Sequence, residues 1–151
     1  MALEFKFPVI VSTHPRTRKR IEELELDFNP LVRLHRPLCF SDYVSLQKNA
    51  KVVLSDSGTI SEESSILNFP ALNIREMHER PEGMEEGAVM LTGMNQERIF
   101  QAINILNDQH SDEPRMIRKV ADYDAPNVSD KVVRIVQSYT DYVRKKVWKI
   151  Q

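Results

Sequence analysis

The densest chemical content lies in Lys51 to Glu63, KVVLSDSGTISEE: a β-branched apolar run, a bend of small hydroxylated residues around Gly58, and the adjacent carboxylates Glu62 and Glu63. A buried strand that ends in such a bend and passes straight into a helix leaves backbone N–H groups at the positive end of the helix dipole, which is a seat for phosphate. Ser57 and Thr59 add hydroxyls, and Gly58 permits close approach of a ligand to the backbone. The bend lacks the Gly-Lys-Ser/Thr ending of a Walker A loop, and Asp56-Ser57-Gly58 between Ser55 and Thr59 does not match the Gly-x-Ser-x-Gly nucleophile elbow. Helix capping explains part of the pattern without a ligand, because Thr59 to Glu62 fits a capping box. Dipole compensation accounts for one carboxylate in the first turn. The second, Glu63, would lie within reach of the vicinal hydroxyls of a ribose.

Two further segments carry charge where loops are expected. Arg75 to Gly83, REMHERPEG, combines dense charge with proline and glycine, a composition that suits a lid or ligand loop. Its Arg80 would bind phosphate or pair with Glu79 or Glu82. His14-Pro15-Arg16 sets an imidazole beside the cations Arg16 and Arg18, and a neutral histidine there would donate to phosphate or act in acid–base chemistry. The run Arg16 to Arg20 otherwise reads as a solvated helix face.

The elements that must position these residues follow from hydrophobic periodicity. Strands are expected at Pro8 to Ser12, Leu31 to Arg36, Lys51 to Ser55, Pro70 to Ile74 and Ala88 to Leu91. Helices are expected after His14-Pro15, with Ile21 and Leu24 on one face; from Ser41, with Tyr43, Leu46, Gln47 and Ala50 on one side; from Thr59 to Asn68; and from Asn95 to about Asp108. This β-α-β-α order predicts a Rossmann-like, doubly wound parallel sheet, whose ligands bind beyond the carboxyl ends of the strands. The loops after Ser12, Ser55 and Ile74 are those ends, and they hold the three charged segments. The polar stretch Gln109 to Asp130 reads as a surface connector. A last helix, from about Ser129 to Lys146, carries an apolar stripe of Val132, Ile135, Val136, Tyr139, Tyr142, Val143 and Val147, with Trp148 beyond it. That stripe either folds on the domain's own core or docks on another domain.

Size and composition set the remaining bounds. The 151 residues, 41% hydrophobic and 28% charged, suit one compact core. A net charge of -1 gives no overall pull toward nucleic acid or an anionic membrane, so neither is expected as a partner. The single cysteine, Cys39, forms no internal disulfide, which fits a reducing cytoplasm. His14, His35, His78 and His110 lack paired metal-ligand spacing, and no run approaches the roughly 20 apolar residues of a membrane span. Residues 1–7 read as a linker or a remnant of cutting at a domain boundary, 8–128 as the ligand-binding domain, and 129–151 as a helix for docking on an absent domain.

Taken together, STHPR at Ser12 to Arg16, SDSGTISEE at Ser55 to Glu63, and REMHERPEG at Arg75 to Gly83 resemble, in order, the motifs of the non-hydrolysing UDP-N-acetylglucosamine 2-epimerase family. The family's usual SDSGGxxEE is altered at Thr59, which still offers an N–H and adds a hydroxyl. Within the family, THPRTRKRIE, the long phrase from SDYVSLQKNA to HERPEGM, and SYTDYV most resemble the UDP-N-acetyl-L-fucosamine synthase branch, UDP-2-acetamido-2,6-dideoxy-L-talose 2-epimerases that serve capsule or O-antigen synthesis.

The resemblance implies the C-terminal half of a glycosyltransferase-B-like fold, with the active site in the cleft between two Rossmann-like halves. It implies elimination of UDP to a 2-acetamidoglycal and re-addition after the face of C2 is exchanged, with no cofactor. Carried over by motif, Ser57, Gly58 and Thr59 would bind the diphosphate, Glu63 the ribose hydroxyls and Arg80 the phosphate side of the pocket. Tyr43 would lie beside the uracil, and His14 would act at the diphosphate leaving group. Cations and N–H donors there stabilise the charge that grows on departure. The carboxylates that handle the C2 proton belong to the family's N-terminal half. This polypeptide is therefore expected to bind UDP weakly without epimerase turnover, with the N-terminal domain as its partner and homo-oligomerisation left open. The readings kept beside this one are a UDP-dependent glycosyltransferase and a non-catalytic interaction module.

Overall fold

The computed structural model describes residues 1–109 and 117–150. The part of the expected connector at 110–116, including His110, lies outside the described residues. In chain order the elements are α1 (Ala2–Phe5), β1 (Val9–Ser12), α2 (Pro15–Glu23), β2 (Val32–His35), α3 (Phe40–Asn49), β3 (Val53–Ser55), α4 (Ile60–Leu67) and β4 (Ala71–Asn73). They continue with α5 (Pro81–Glu85), β5 (Met90–Leu91), α6 (Gln96–Asp108), a 3-10 turn (Ala121–Asp124) and α7 (Val128–Tyr142), which runs on as a π-helical segment over Val143–Val147.

Every strand pairing among the described residues is parallel, and the Rossmann-like α/β architecture read from the sequence is what is observed. The strands fall into two hydrogen-bonded ladders, β1-β2 and β3-β4-β5. β4 is central in the second, and its three residues are all buried, as a parallel strand covered on both faces requires. Successive side chains of a strand point to opposite faces. Ala71 accordingly joins Ile60, Phe69 and Val89 in one cluster, while Leu72 joins Ala102 and Ile103 in the other. Met1 and Phe5 pack into the second cluster, with Phe5 edge-on to Phe100 at 5.7 Å between centroids, so residues read from the sequence as a linker contribute to this packing.

Local chemistry sets the helix ends. His14 caps α2 by accepting from the Arg16 N–H, with Pro15 at the first helical position. Asn95 caps α6 by accepting from the Arg98 N–H. Asn68 closes α4 in the left-handed region at φ 58°. The fifth strand is shorter than expected, because Ala88 is engaged elsewhere: its N–H donates to the Gly83 carbonyl (2.9 Å), and its own carbonyl accepts from Ser64 Oγ (3.0 Å).

Beyond residue 116 the chain returns to the second ladder. The Val120 N–H donates to Ser65 Oγ (2.9 Å), Val120 is buried, and Arg118 forks onto Glu86. The apolar stripe of α7 is exposed from Val132 at 52% to Tyr142 at 58%; past it Val143 is half-buried, and Val147 and Trp148 are exposed again. No helix among the described residues is long and apolar enough to cross a membrane.

Leu72 is 0% exposed between β3, β5 and α6. Leu72→Ala is expected to destabilise the domain by about 3 kcal/mol, the middle of the range for a buried leucine truncated to a cavity, measured as a lower urea midpoint at unchanged m-value.

Candidate functional site

The β3–α4 bend is built by its own hydroxyls. The Ser57 N–H donates to Ser55 Oγ (3.1 Å), the Thr59 N–H to Ser57 Oγ (3.3 Å), and Ser57 Oγ lies 2.9 Å from Thr59 Oγ1. These bonds occupy two of the amides that the sequence left open for a ligand. The Gly58 N–H has no acceptor among the described residues, and Ser57 and Thr59 are exposed. The Ile74 N–H donates to the Ser55 carbonyl (3.0 Å), which ties the end of β4 to the bend and brings the loop after β4 across it.

That loop places its cations at Gly58. A Cβ built on Gly58 would lie 3.2 Å from Glu79 Oε2, 3.8 Å from Arg75 Nη1 and 4.0 Å from Arg80 Nη2. Two guanidinium groups and one carboxylate therefore crowd the side of Gly58 on which a side chain would stand. Of the two roles the sequence offers Arg80, phosphate binding or pairing with Glu79 or Glu82, the pairing falls to a different carboxylate. Arg80 Nε donates to Glu62 Oε1 at 2.8 Å, while Arg75 Nη2 takes Glu79 at 2.6 Å. Glu62 sits one residue before Glu63 on α4 and faces the other way around the helix, toward the Arg80 loop. The same bond revises the capping box. Thr59 is already helical, at φ -73° and ψ -8°, and makes no side-chain cap: its hydroxyl is turned to Glu63, and Glu62 is held by Arg80 instead of folding back on Thr59.

The electrostatics follow from these pairs. The hydrogen bond from Arg75 holds the Glu79 carboxyl below its ordinary titration range, and the bond to Glu62 raises the already basic Arg80. The backbone of the Arg80 loop is fixed by its own N–H donating to His78 Nδ1 at 2.9 Å.

Glu63 faces α3. Thr59 Oγ1 donates to its Oε1 at 2.6 Å, and the side-chain amide of Gln47, on α3, donates to its Oε2. Tyr43 stands one turn before Gln47 on α3, and burial, followed by the Glu63 charge, pushes its phenol up. The structure thus brings Ser57, Gly58, Thr59, Glu63 and Arg80 around one bend, with Tyr43 beside Glu63. His14 is exposed at the start of α2, and among the described residues no contact joins it to the bend.

Sequence reasoning missed the residues that hold these groups in place. Gln47 reads only as part of an amphipathic face. Arg75 is one charge among many in its loop. Tyr123 lies in the aperiodic connector, yet its hydroxyl donates to Glu82 Oε1 at 2.9 Å and lies 3.3 Å from where a Gly83 Cβ would be. Gly83 is needed there because α5 presses on α4: its Cβ would meet the Ser61 Cβ at 3.0 Å.

Comparison with known proteins bears on this geometry. The model of the UDP-N-acetylglucosamine 2-epimerase family matches residues 1–137. A UDP-N-acetylglucosamine 2-epimerase from Rickettsia bellii superposes with a TM-score of 0.84 at 47% identity, covering 97% of this chain and 40% of that one. The UDP-GlcNAc 2-epimerase of Methanocaldococcus jannaschii, in complex with UDP-GlcNAc and UDP, superposes with a TM-score of 0.76 at 30% identity over 91% of this chain and 37% of that one. By sequence, a UDP-N-acetylglucosamine 2-epimerase from the same organism is 38% identical over 102 residues, 65% of this chain and 28% of its relative. The chain spans less than half the length of each.

The Glu82 carboxyl titrates below its ordinary value, chiefly because of a bond from its own backbone and then because of the Tyr123 hydroxyl. A carboxyl depressed in the folded state contributes stability above its unfolded pKa and loses that contribution as pH falls through the folded pKa. Tyr123→Phe is expected to raise the Glu82 titration toward the ordinary glutamate value and to move the onset of acid unfolding to higher pH. Side-chain carboxyl carbon shifts followed against pH, together with circular dichroism, check both.

Proposed function

The chain belongs to the UDP-N-acetylglucosamine 2-epimerase family, and we propose that it is the UDP-holding part of a UDP-sugar 2-epimerase. The observation that carries this reading is the approach of Arg75 and Arg80 to Gly58, whose N–H has no acceptor among the described residues, at the start of α4. An N–H group at a helix start beside two guanidinium groups favours an anion of more than one charge. The bound UDP and UDP-GlcNAc of the Methanocaldococcus relative support a uridine nucleotide as that anion.

In this reading the diphosphate lies against Ser57, Gly58 and Thr59 beneath Arg80. Glu79 is exposed and held by Arg75, and it is the group that the incoming phosphate displaces. Glu63 takes the ribose hydroxyls, and Tyr43 lies beside the uracil. His14, at the carboxyl end of β1, faces the leaving diphosphate from the opposite loop. The reaction proceeds by breaking the C1–O bond, with UDP taking the electron pair and the C2 proton passing to a carboxylate base, followed by re-addition after the exchange of faces at C2. Arg80, Arg75 and the Gly58 amide act by stabilising the charge that accumulates on the diphosphate.

The carboxylate base belongs to a second domain, so residues 8–128 serve as the UDP-binding domain and 129–151 as the segment that docks on that second domain. The exposed stripe of α7 supports this role for the segment. By itself the chain binds nucleotide without turnover. Motif similarity favours the UDP-N-acetyl-L-fucosamine branch, in cytoplasmic synthesis of nucleotide sugars for capsule or O-antigen.

Titration of the chain with UDP is expected to shift the amide resonances of Gly58 and Glu63, and the absence of any shift at these positions would overturn the nucleotide reading. Arg80→Ala is expected to weaken UDP binding roughly tenfold to hundredfold, the loss typical of one charge-assisted hydrogen bond, measured by calorimetry.

A further inference from the structure

Gln47 is 3% exposed, a long amide sealed beneath α3 with its Oε1 unpartnered. A buried acceptor without a donor is a burden on the folded state. The other end of the same amide makes a contact that offsets it, because Nε2 donates to Glu63 Oε2 and so joins α3 to α4. Thr59 Oγ1 donates to the remaining oxygen of the same carboxylate. Glu63 is thereby held at both oxygens, by groups from two different elements, before any ligand arrives. A carboxylate on a flexible side chain loses rotamer freedom when it binds a diol, and one already held in place loses less.

We propose that Gln47 is a positioning residue that fixes the Glu63 carboxylate for the paired 2′ and 3′ hydroxyls of a ribonucleotide, and so sets the preference for ribose over 2′-deoxyribose. The inference rests on the UDP reading above and adds to it a residue from outside the bend. The two holds differ in kind. The Thr59 hydroxyl is exposed and turns easily, so it gives way to a ligand hydroxyl at Oε1, whereas the buried Gln47 amide stays on Oε2 and keeps the carboxylate plane in place. With methionine at position 47 the volume is retained and the donor is lost, leaving Glu63 free to rotate.

The test compares UDP with 2′-deoxy-UDP on the 151-residue chain and on Gln47→Met, by calorimetry, with circular dichroism as the check on folding. The unaltered chain is expected to bind UDP at least tenfold more tightly than 2′-deoxy-UDP. In Gln47→Met that ratio falls to within about threefold while 2′-deoxy-UDP affinity stays within about twofold. A role in packing alone would weaken both nucleotides equally and leave the ratio where it was, which would overturn the proposal. A second measurement needs no variant: the Gln47 side-chain amide resonances of the unaltered chain should move with UDP and stay in place with 2′-deoxy-UDP, and equal movement with both would count against it. Binding of neither nucleotide would overturn the nucleotide reading and this inference with it, whereas UDP binding with an unchanged ratio in Gln47→Met would overturn this inference alone.

Discussion

The packing of the loop after β4 over the β3–α4 bend depends on the ion pair between Glu62 and Arg80. The Arg80 loop carries several charges of both signs and has little apolar surface with which to hold itself down. The bond from Arg80 Nε to Glu62 Oε1 anchors it to α4 and leaves Nη2 at the bend. The pair is about one-third exposed on each side, so solvent screening keeps its contribution to stability modest. Its consequence is one of placement. Beside it, the loop that crosses Gly58 is tied by the bonds of Ile74 and Arg75 to the end of the ladder and by the Met94 N–H to Glu76.

The same pair explains why two adjacent glutamates serve different ends. Residues one apart on a helix diverge by about 100° around its axis, so Glu62 and Glu63 cannot face one partner. Glu62 meets the loop after β4, and Glu63 meets α3. One sequence step thus links three elements at the mouth of the ladder. The arrangement is polar at its base as well: Ser61 Oγ, Glu62 Oε2 and His78 Nε2 are buried without hydrogen-bond partners among the described residues. Groups of that kind carry a desolvation cost and belong where geometry matters more than stability.

Much of this was legible before any coordinates. The parallel strands, the helices that alternate with them and the tight bend between β3 and α4 follow from β-branched runs, periodicity and small residues at a strand end. The sequence did not disclose which charges pair, because Arg75, Glu79, Arg80, Glu82 and Glu62 are interchangeable until the loop is folded over the bend. Gln47 was invisible as a buried polar residue for the same reason, since its partner lies 16 positions away. The helix α5 was read as loop because five residues containing proline and glycine have little intrinsic helical preference; packing against Ser61 and the bond from Tyr123 hold it instead. His14 reads as a member of the same cluster, yet its ring nitrogen is engaged with its own helix start.

The alternation along β4 has a mechanical consequence. With Ala71 turned to one core and Leu72 to the other, a strand of three residues is the central part of the wall between two packed compartments, which the segments on either side of it extend. A slip of one register position would exchange their contents, driving a leucine into the space shaped for alanine. Both compartments therefore share one thin partition, and the identity of each of its residues is set by the volume on its own side.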